Sequence, residues 1–445
     1  MKRILLLGAG RSSTSLIKYL IKKVEVYNWE LVVGDYDQRL AQEKLPPKPG
    51  LKGIHFDVFN EEQKDKEIGE ADIVISMLPA SFHIHVAKSC LKFGKNLITA
   101  SYVSDDLKEL ETAVKQKGLL FLMECGLDPG IDHMSAMKVI NNIREEGHQL
   151  VNFETFTGGL IAPESEGNNP WKYKFTWNPR NVVMAGNGTV KFIQEGRLKY
   201  IPYHRLFRRT EIVEIPGYGL FEGYANRDSL KYLKVYGLEN IRTLYRGTFR
   251  RPGYCRAWDV FVQLGATDDS YKMDGVENMT HRQFINSFLS YNPQDSVELK
   301  LAHYLSLDLE GEEMFKLRWL GLFDDEVIGL TEGTPAQILE HILKKKWTIL
   351  PDDKDMIVMW HKFDFMDGDQ LRKIHSYMVA KGMNSEDTAM AKTVGLPLGI
   401  AAELILNNKI SVTGIKIPTT KEIYDPILKV LEEEGIKVVE KEMTC

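Results

Sequence analysis

The sequence predicts an α/β fold, in which a doubly wound parallel sheet is joined to a second, mixed α/β domain that carries a small helical insertion. The first observation is an apolar strand at residues 4–7 that runs straight into a glycine-rich turn and a helical pattern. The second is a series of later apolar runs separated by helical stretches, which is the pattern of parallel strands joined by crossover helices. These runs lie at residues 30–34, 72–79, 95–101 and 118–124.

The glycine-rich turn, Gly8-Ala9-Gly10-Arg11-Ser12-Ser13, has the spacing of a dinucleotide-binding fingerprint. Gly8 permits the tight turn, and Gly10 lets the backbone approach a pyrophosphate. Ser13 is small enough for the helix to pack on the strand, although Gly or Ala is usual there. The helix that follows offers N–H groups without intrahelical partners to the phosphates. We therefore predict a Rossmann-type domain that binds NAD or NADP.

The second strand ends in Asp35, at the position where an acid that binds the ribose hydroxyls of NAD is expected. A carboxylate there would repel the 2′-phosphate of NADP, and Tyr36 follows where NADP enzymes often have a basic residue. Arg39 lies close enough to leave the choice open, and Asp35 could instead be a turn residue that caps the strand. We predict NAD as the preferred cofactor, with NADP as the alternative.

Composition excludes several classes of protein. The 445 residues suffice for two or three domains, and the net charge of −5 argues against a general nucleic-acid binder. Four cysteines without C-x-x-C spacing fit a reducing compartment, so we expect a cytoplasmic protein. The apolar run at the N-terminus is too short for a signal peptide. The apolar stretch 394–406 carries Glu403 and is too short for a bilayer, which favours a buried helix. No membrane partner and no metal site are expected.

The chain is expected to divide into three parts. Residues 1–130, together with about 388–445, should form the dinucleotide-binding domain. Residues 131–285, with about 346–387, should form a mixed α/β domain for substrate binding and dimerisation, because this region holds many short β-like runs. One such run is 256–262. Residues 286–345 switch to helical periodicity and predict a small helical domain. The mixed sheet favours a homodimer.

Three groups of residues are candidates for chemistry. One arginine lies in 226–229 and three lie in 245–251, and guanidinium groups suit a substrate with several carboxylates, although they could equally be solvated surface residues. Asp128, Asp132 and His133 cluster after the last strand of the first sheet, and His133 could instead pack or cap the helix that it precedes. Cys125 could be a nucleophile that attacks an aldehyde, but a small core residue is the more common role of such a cysteine.

Several longer motifs stand in the same order along the chain: Gly8–Ser13, Ser81–His83, Thr99–Ser104, Gly126–His133, Gly158–Ser165, Tyr173–Trp177, Asn226–Ser229, Arg246–Arg250 and Ala389–Pro397. With these residues the chain resembles the saccharopine dehydrogenase family of the L-glutamate-forming type, over nearly its whole length. The G-L-D-P-G-I-D-H segment at 126–133 and the R-G-T-F-R segment at 246–250 are far more specific than the glycine fingerprint.

The resemblance implies reversible oxidation of saccharopine by a nicotinamide cofactor, which gives L-glutamate and 2-aminoadipate 6-semialdehyde. The substrate-binding residues that we predict are Ser101, Tyr102, Phe175, Arg227, Thr248, Phe249 and Arg250. The cofactor-binding residues that we predict are Gly8, Gly10, Arg11, Ser12, Ser13, Asp35, Tyr36, Asp57, Leu78, Pro79, Gly126, Leu127, Asp128 and Pro129.

Hydrolysis of the imine formed by hydride removal requires a proton acceptor for the attacking water and a proton donor for the leaving amine. We expect Asp128 and Tyr102 to fill these catalytic roles, with His133 as a reserve. The amine and carboxylates of the substrate are the alternative proton carriers.

Three other functions remain open at this stage. A related enzyme such as a carboxynorspermidine synthase would condense another amine with an aldehyde, but a diamine requires an acidic pocket. A semialdehyde dehydrogenase would use Cys125 as its nucleophile. A non-catalytic NAD-sensing protein would bind the dinucleotide without a clustered anion pocket, and Arg227 and Arg250 argue against it.

Overall fold

Two β-sheets, each covered by helices, make up the protein. A computed structural model describes residues 1–443. Residues 444 and 445 lie outside this description, so the fourth cysteine, Cys445, and the very end of the predicted dinucleotide domain are not covered by it.

The first sheet has seven parallel strands. They are β1 (Arg3–Leu7), β2 (Glu30–Asp35), β3 (Leu51–His55), β4 (Ile73–Ser76), β5 (Asn96–Thr99), β6 (Leu120–Leu122) and, from the far end of the chain, β15 (Gly414–Lys416). Their order is β15-β6-β5-β4-β1-β2-β3. The inner strands are apolar runs without alternation because both faces of the sheet are buried.

Helices cover both faces of this sheet, as predicted for a doubly wound fold. They are α1 (Thr14–Tyr27), α2 (Gln38–Glu43), α3 (Glu61–Glu70), α4 (His83–Phe93), α5 (Asp105–Lys108), α6 (Glu111–Gln116) and α7 (Ile131–Glu145). Leu16 of α1 packs on the face that carries Ile4, and Val86 of α4 packs on the face that carries Leu5.

The second sheet is mixed. Its strands are β7 (Gln149–Ile161), β8 (Val190–Gln194), β9 (Arg197–Ile201), β10 (Thr210–Ile215), β11 (Gly219–Ala225), β12 (Thr243–Arg250), β13 (Asp355–Asp367), β14 (Gln370–Lys381) and β16 (Val438–Met443). The main order is β10-β11-β12-β7-β13-β14-β16, and β8 pairs with β12 and β9. Only the β12–β7 pair is parallel among the described strand pairs of this sheet.

The second sheet and the inserted helices share one hydrophobic core. These helices are α8 (Pro179–Val183), α9 (Tyr254–Leu264), α10 (His281–Asn286), α11 (Val297–Leu305), α12 (Glu312–Trp319) and α13 (Pro335–Trp347). Phe156 and Leu160 of β7 belong to the same buried cluster as Ile338 and Leu339 of α13. The segment 286–345 is therefore helical, as its periodicity indicates, but it does not have a core of its own.

The expected strand at 256–262 is wrong, because these residues form most of α9. Gly253 and Gly265 stand at the two ends of the helix in the left-handed conformation, each with φ of 82°. The polar residues Arg256, Asp259 and Gln263 share one face of the helix, so the full span Tyr254–Leu264 has helical periodicity that the shorter run 256–262 shows only in part. The valines and aromatic residues favour a strand by propensity alone, and tertiary packing overrides this preference.

The C-terminal tail packs on both domains. Helix α14 (Ala389–Leu406) lies on α1, where a Cβ at Gly395 would be 3.0 Å from the Leu16 backbone nitrogen, and β15 joins the first sheet. After α15 (Lys421–Glu433), however, β16 joins the second sheet, so the last part of the tail does not follow the expected division. Helix α14 is long and apolar enough to cross a membrane, but 78% of it is buried inside the fold.

Candidate active site

The glycine turn after β1 has the geometry of a phosphate-binding turn. Gly8 has φ of +104°, and a Cβ there would lie 2.9 Å from the Met77 carbonyl oxygen, so only glycine fits. Its N–H donates to the Gly34 carbonyl at 2.8 Å, which joins the turn to β2. A Cβ at Gly10 would meet no atom within 4 Å, so the chain is open to a ligand at this point. Arg11, Ser12 and Ser13 form the short 3-10 turn that leads into α1.

Asp35 is bonded to the glycine turn itself. One carboxylate oxygen accepts the Ala9 N–H at 2.7 Å, and the other accepts the Asp37 N–H at 3.0 Å. Tyr36 is 75% exposed beside this acid. The Arg39 guanidinium lies on the Asp37 carboxylate, with Nη2 to Oδ2 at 2.8 Å. Asp35 thus has a structural role in the turn in addition to the ribose contact that its position predicts.

Lys44 is a residue of this site that the sequence did not reveal. Its Nζ donates to the Gly10 carbonyl and lies 3.3 Å from Ser13 Oγ. Burial lowers the pKa of Lys44 to about 8, and the charge of nearby Asp35 opposes this shift. A lysine at the end of α2 carries no sequence signal, because only the tertiary fold brings it to the glycine turn.

The other predicted cofactor residues lie at the same edge of the sheet. Asp57 follows β3 and accepts the Phe59 N–H at 3.0 Å, and Leu78 and Pro79 follow β4. Residues 126–129 follow β6, where a Cβ at Gly126 would be 2.8 Å from Ala100 Cβ. The carboxyl ends of parallel strands are where such folds bind ligands. Contact of these residues with a cofactor stays a prediction.

A cavity of about 930 Å³ opens between this edge and the second sheet. It is lined by residues from both sheets: Tyr102, Val103, Ser104, Asp105, Lys108, Glu111, Glu124, Asn226, Arg227, Asp228, Lys231, Tyr232, Val235, Arg246, Ile415, Lys416, Ile417, Thr419 and Thr420. Its volume is within the range of pockets that bind small molecules.

Arg246 on β12 binds two aspartates of the segment after β6. Its Nη2 lies 2.9 Å from Asp128 Oδ1 and 2.6 Å from Asp132 Oδ2. The guanidinium stacks on the Tyr232 ring at 4.0 Å from the ring centre. Arg246 is 4% exposed and is therefore engaged within the protein. The sequence placed it in a motif but gave no sign that it joins the two sheets.

The two aspartates have pKa values displaced in opposite directions. Burial, followed by the charge of Asp132, raises the pKa of Asp128 above its usual range. Burial also acts against ionisation of Asp132, but His133 and Arg246 outweigh it, and the pKa of Asp132 is lowered. Asp128 is thus suited to take up and release a proton, whereas Asp132 stays ionised.

Behind these aspartates, His133 is completely buried and lies between two side chains. Its Nε2 is 2.9 Å from Glu124 Oε2, and its Nδ1 is 2.6 Å from the Tyr236 hydroxyl. Glu124 lines the cavity and also accepts the Val103 N–H at 3.1 Å. Its φ of +54° is unusual for a residue with a side chain. The sequence missed Glu124, although it directly precedes Cys125 at the end of β6.

Tyr102 and Arg227, two of the predicted substrate residues, meet at the cavity. The Arg227 guanidinium lies over the Tyr102 ring, 4.7 Å from its centre. Burial, and then the charge of Asp128, raise the pKa of Tyr102, so its hydroxyl keeps its proton at neutral pH. Ser101 precedes Tyr102, and its hydroxyl lies 2.7 Å from Nε2 of His83.

The remaining predicted substrate residues are placed differently. Thr248 accepts a bond from Asn226, whose Nδ2 is 3.0 Å away. The Arg250 guanidinium is buried among tyrosine rings, and its Nε has no hydrogen-bond partner within residues 1–443. The prediction that Phe249 and Phe175 bind the substrate needs a correction for their side chains. The Phe249 side chain packs against Phe156 in the core, so only its main chain could contact a substrate.

Phe175 is likewise a core residue. Its ring packs against Tyr173 and Trp347, and it does not line the cavity. In the alternating segment around Phe175, the aromatic side chains pack in the core. The same alternation is compatible with the wall of a pocket, so the sequence could not decide between the two.

Cys125 is a buried core residue whose Sγ lies 3.7 Å from the Pro397 carbonyl oxygen. Burial raises the pKa of its thiol, which disfavours the nucleophilic thiolate. Within residues 1–443, no group of three or more His, Cys, Asp or Glu side chains is arranged to hold a metal ion.

Together, the glycine turn with its bonded acid and the cavity between two sheets define a two-domain protein of the Rossmann dinucleotide-binding class. Residues 4–122 match the saccharopine dehydrogenase NADP binding domain, and residues 126–436 match the saccharopine dehydrogenase C-terminal domain. The chain belongs to the saccharopine dehydrogenase family.

Relatives with known names agree with this assignment. The chain is 32% identical over 450 residues to saccharopine dehydrogenase [NADP(+), L-glutamate-forming] of Saccharomyces cerevisiae, and the match covers 99% of both chains. It is 34% identical over 443 residues to the mitochondrial alpha-aminoadipic semialdehyde synthase of Mus musculus. That match covers 98% of this chain but 47% of the mouse protein, so the chain spans about half the length of this relative.

Solved structures show the same fold. Apo saccharopine dehydrogenase (L-Glu forming) from Saccharomyces cerevisiae superposes with a TM-score of 0.90 at 29% identity and full coverage of both chains. Homospermidine synthase from Legionella pneumophila has a TM-score of 0.57 at 11% identity, over 99% of this chain and 91% of that one, which shows a shared fold alone. The expected preference for NAD is not supported by these comparisons, because the matched domain and the fungal relative are named for NADP.

Proposed function

We propose that the protein oxidises saccharopine to L-glutamate and 2-aminoadipate 6-semialdehyde, and catalyses the reverse reaction, with a nicotinamide dinucleotide. The family assignment supports this proposal, and so does the named activity of the fungal relative that matches over its whole length. Saccharopine carries three carboxylates, so the site must provide cations that the protein itself does not neutralise.

The observation that carries the proposal is the set of free cations at the cavity. Arg227, Lys231 and Lys416 line it, and within the described part of the chain none of them forms an ion pair. The acids of the lining are already engaged. Glu124 accepts bonds from His133 and Val103, and Glu111 accepts the Ile415 N–H. This balance favours a polyanionic substrate over a diamine.

The acid–base work falls to Asp128 and Tyr102. When bound, the oxidised dinucleotide supplies the hydride acceptor. Asp128, with its raised pKa and its bond to Arg246, can accept the proton of the water that attacks the imine carbon. Tyr102, which stays protonated, can donate a proton to the departing amine. His133 does not reach the cavity, and it supports Glu124 from behind.

The residues of the first domain fit such a dinucleotide. The open space at Gly10 and the forced glycine at position 8 leave room for a pyrophosphate next to the first turn of α1. We further propose that NAD is preferred, because Asp35 ends β2, where the ribose is expected to bind, and Arg39 is held by Asp37. Comparison of kcat/KM for NAD and NADP tests this preference, and a ratio in favour of NADP would overturn it.

The function is tested by following the absorbance of the reduced nicotinamide with purified protein, saccharopine and either cofactor. We expect turnover with saccharopine and the oxidised cofactor, and no turnover with a diamine, an aldehyde and the reduced cofactor, which a carboxynorspermidine synthase would use. Turnover with the diamine pair alone would favour the alternative of a related imine reductase. Binding of the dinucleotide without turnover of any of these compounds would favour a non-catalytic NAD-sensing protein.

The assembly and location expected from the sequence are also proposals. We propose a homodimer formed through the mixed domain, and light scattering tests it, with twice the chain mass of 50.9 kDa as the expected result. We propose a cytoplasmic location, which is consistent with the free cysteines Cys90, Cys125 and Cys255. Fractionation of the source cells tests it.

A further inference from the structure

His83, the first residue of α4, is a buried histidine surrounded by hydroxyl groups. Its Nδ1 lies 2.9 Å from Ser76 Oγ. Its Nε2 lies 2.7 Å from Ser101 Oγ and 3.2 Å from Thr99 Oγ1. The side chain is 1% exposed, so the ring joins the end of β4 to the end of β5 inside the protein.

This polar group is unusual for its surroundings. Ser76 and Thr99 are paired in register at the ends of β4 and β5, whose other inner residues are apolar and buried. Burial of hydroxyl and imidazole groups costs free energy unless each has a hydrogen-bond partner. Apolar side chains could fill the same space without that cost. The hydrogen bonds therefore indicate a role that packing alone does not provide, which is to fix the orientation of a polar group.

The group that they hold is Ser101. Its N–H donates to Thr99 Oγ1 at 3.3 Å, and its carbonyl accepts the Glu124 N–H at 3.1 Å. The main chain of Ser101 is thus fixed on both sides. The remaining freedom is rotation of the side chain, and the bond to His83 Nε2 removes it. Ser101 is half-buried and stands directly before Tyr102, which lines the cavity.

The ring is neutral at the pH of the cytoplasm. Burial lowers the pKa of His83 to about 4. A neutral imidazole has one donor and one acceptor nitrogen, so the bond to Ser76 at Nδ1 decides which role remains for Nε2. The side chains that bond to the ring are the hydroxyls of Ser76, Thr99 and Ser101. The orientation of the Ser101 hydroxyl is therefore set by a chain of hydrogen bonds from the strand ends.

We propose that His83 is a positioning residue, which holds the Ser101 hydroxyl in a single orientation toward an anionic amino-acid substrate in the cavity. This inference rests on the proposed function and on the prediction, made from the sequence, that Ser101 binds the substrate. The inference adds His83 to that function, as the residue that orients the Ser101 hydroxyl.

A double-mutant cycle in the full chain tests the inference. His83→Leu and Ser101→Ala are each expected to lower kcat/KM for saccharopine about 10- to 100-fold, because the bond that aims the hydroxyl is lost in both. The kcat/KM of the double variant should be no more than about threefold below that of the less active single variant, since the two residues act as one unit. His85→Leu, two residues along the same helix, is the matched control and should stay within about twofold of the wild type.

The cycle separates this inference from the proposed function. Two results would overturn the inference but not the proposed function, provided that the wild type turns over saccharopine. The first is a double variant in which the effects of the two substitutions multiply. The second is a His83→Leu variant with the wild-type kcat/KM. Absence of wild-type turnover on saccharopine would overturn both.

Ser76→Ala provides a second test if His83→Leu does not fold. It removes the partner of Nδ1 and leaves the ring in place. We expect a folded protein with a lowered Tm, because the buried Nδ1 loses its partner, a decrease of about 3- to 10-fold in kcat/KM, and no further decrease in kcat/KM when it is added to Ser101→Ala. A Ser76→Ala variant that matches the wild type, or that multiplies the effect of Ser101→Ala, would contradict the inference.

Discussion

At the scale of single residues, the surroundings of Asp128 and Asp132 displace the pKa values of two chemically identical side chains in opposite directions. Both carboxylates bind Nη2 of Arg246, yet only Asp132 also accepts the Gly130 N–H, at 2.6 Å. The second bond and the nearby His133 keep Asp132 ionised. Asp128 has less support for its charge, so burial raises its pKa. This difference supports the proposal that Asp128 is the proton carrier of the site.

Replacement of Asp128 by Asn should test this role. Removal of a general acid–base group costs about 10²- to 10⁴-fold in rate, so we expect a loss of kcat in that range with folding preserved. The wild-type rate should fall as the pH drops through the raised pKa of Asp128, and this limb of the pH profile should be absent in the variant. Asp106→Asn, on the exposed helix α5, is the control. An unchanged kcat and pH profile in Asp128→Asn would remove Asp128 from the mechanism.

The sequence predicted this acid but not its partners. Asp128 stands in a specific motif at a strand end, and the rule that ligands bind there identifies it. Arg246 also stands in a specific motif, but nothing in the sequence pairs it with Asp128, and Glu124 lies in none of the motifs. Arg246 follows Asp128 by more than a hundred residues, and only the packing of β12 against the first domain brings them together. Glu124 resembles any acid at the end of a strand until its left-handed backbone is seen.

At the scale of elements, the N-terminus of α14 is held by a buried acid at the start of β13. Asp355 accepts the N–H groups of Ala389 at 2.6 Å and Met390 at 2.9 Å. Burial raises the pKa of Asp355 to about 6, and the two backbone N–H groups oppose this shift. The carboxylate thus joins the second sheet to the helix that packs against the glycine turn.

This acid predicts a pH dependence of stability. The folded protein binds a proton at Asp355 more tightly than the unfolded chain does, so its contribution to stability is present below pH 4 and is lost as the pH rises through about 6. From pH 4 to pH 7, the Tm of the wild type should therefore fall relative to the Tm of Asp355→Asn. Asp352→Asn, at an exposed position nearby, should show a constant difference. A constant difference for Asp355→Asn as well would contradict the raised pKa.

Elements with a strong local pattern could be predicted, and others could not. Five strands of the first sheet were predicted because they are apolar runs at 4–7, 30–34, 72–79, 95–101 and 118–124, separated by helical stretches. Strand β3 was not foreseen, because Leu51–His55 alternates weakly and contains Gly53. Strand β15 has only three residues and joins the first sheet from the far end of the chain. Helix α9 was mistaken for a strand because its valines and aromatic residues favour a strand, although its polar residues recur at helical spacing.

At the scale of the whole molecule, the two sheets form a site that neither contains alone. The cavity takes Tyr102 and Lys416 from the first domain and Arg227, Lys231 and Arg246 from the second. The lining holds five cations and four acids, and within residues 1–443 three of the cations, Arg227, Lys231 and Lys416, form no ion pair. Cations that the protein itself does not neutralise attract an anionic substrate.

The attraction should depend on salt. Because the Debye length shrinks from about 10 Å at 0.1 M to about 3 Å at 1 M, kcat/KM for saccharopine should fall over this range. Lys416→Gln should lower kcat/KM at low salt and weaken its salt dependence. Lys22→Gln, at an exposed position on α1 away from the cavity, should leave both unchanged. Equal salt dependence in Lys416→Gln and the wild type would contradict a role for this cation.

The most direct test of the account is the identification of the products formed from saccharopine. Mass spectrometry of the reaction mixture should show one L-glutamate and one 2-aminoadipate 6-semialdehyde for each dinucleotide reduced. Formation of lysine and 2-oxoglutarate would mean that the other carbon–nitrogen bond is cleaved. That result, or the absence of any product, would contradict the proposed function.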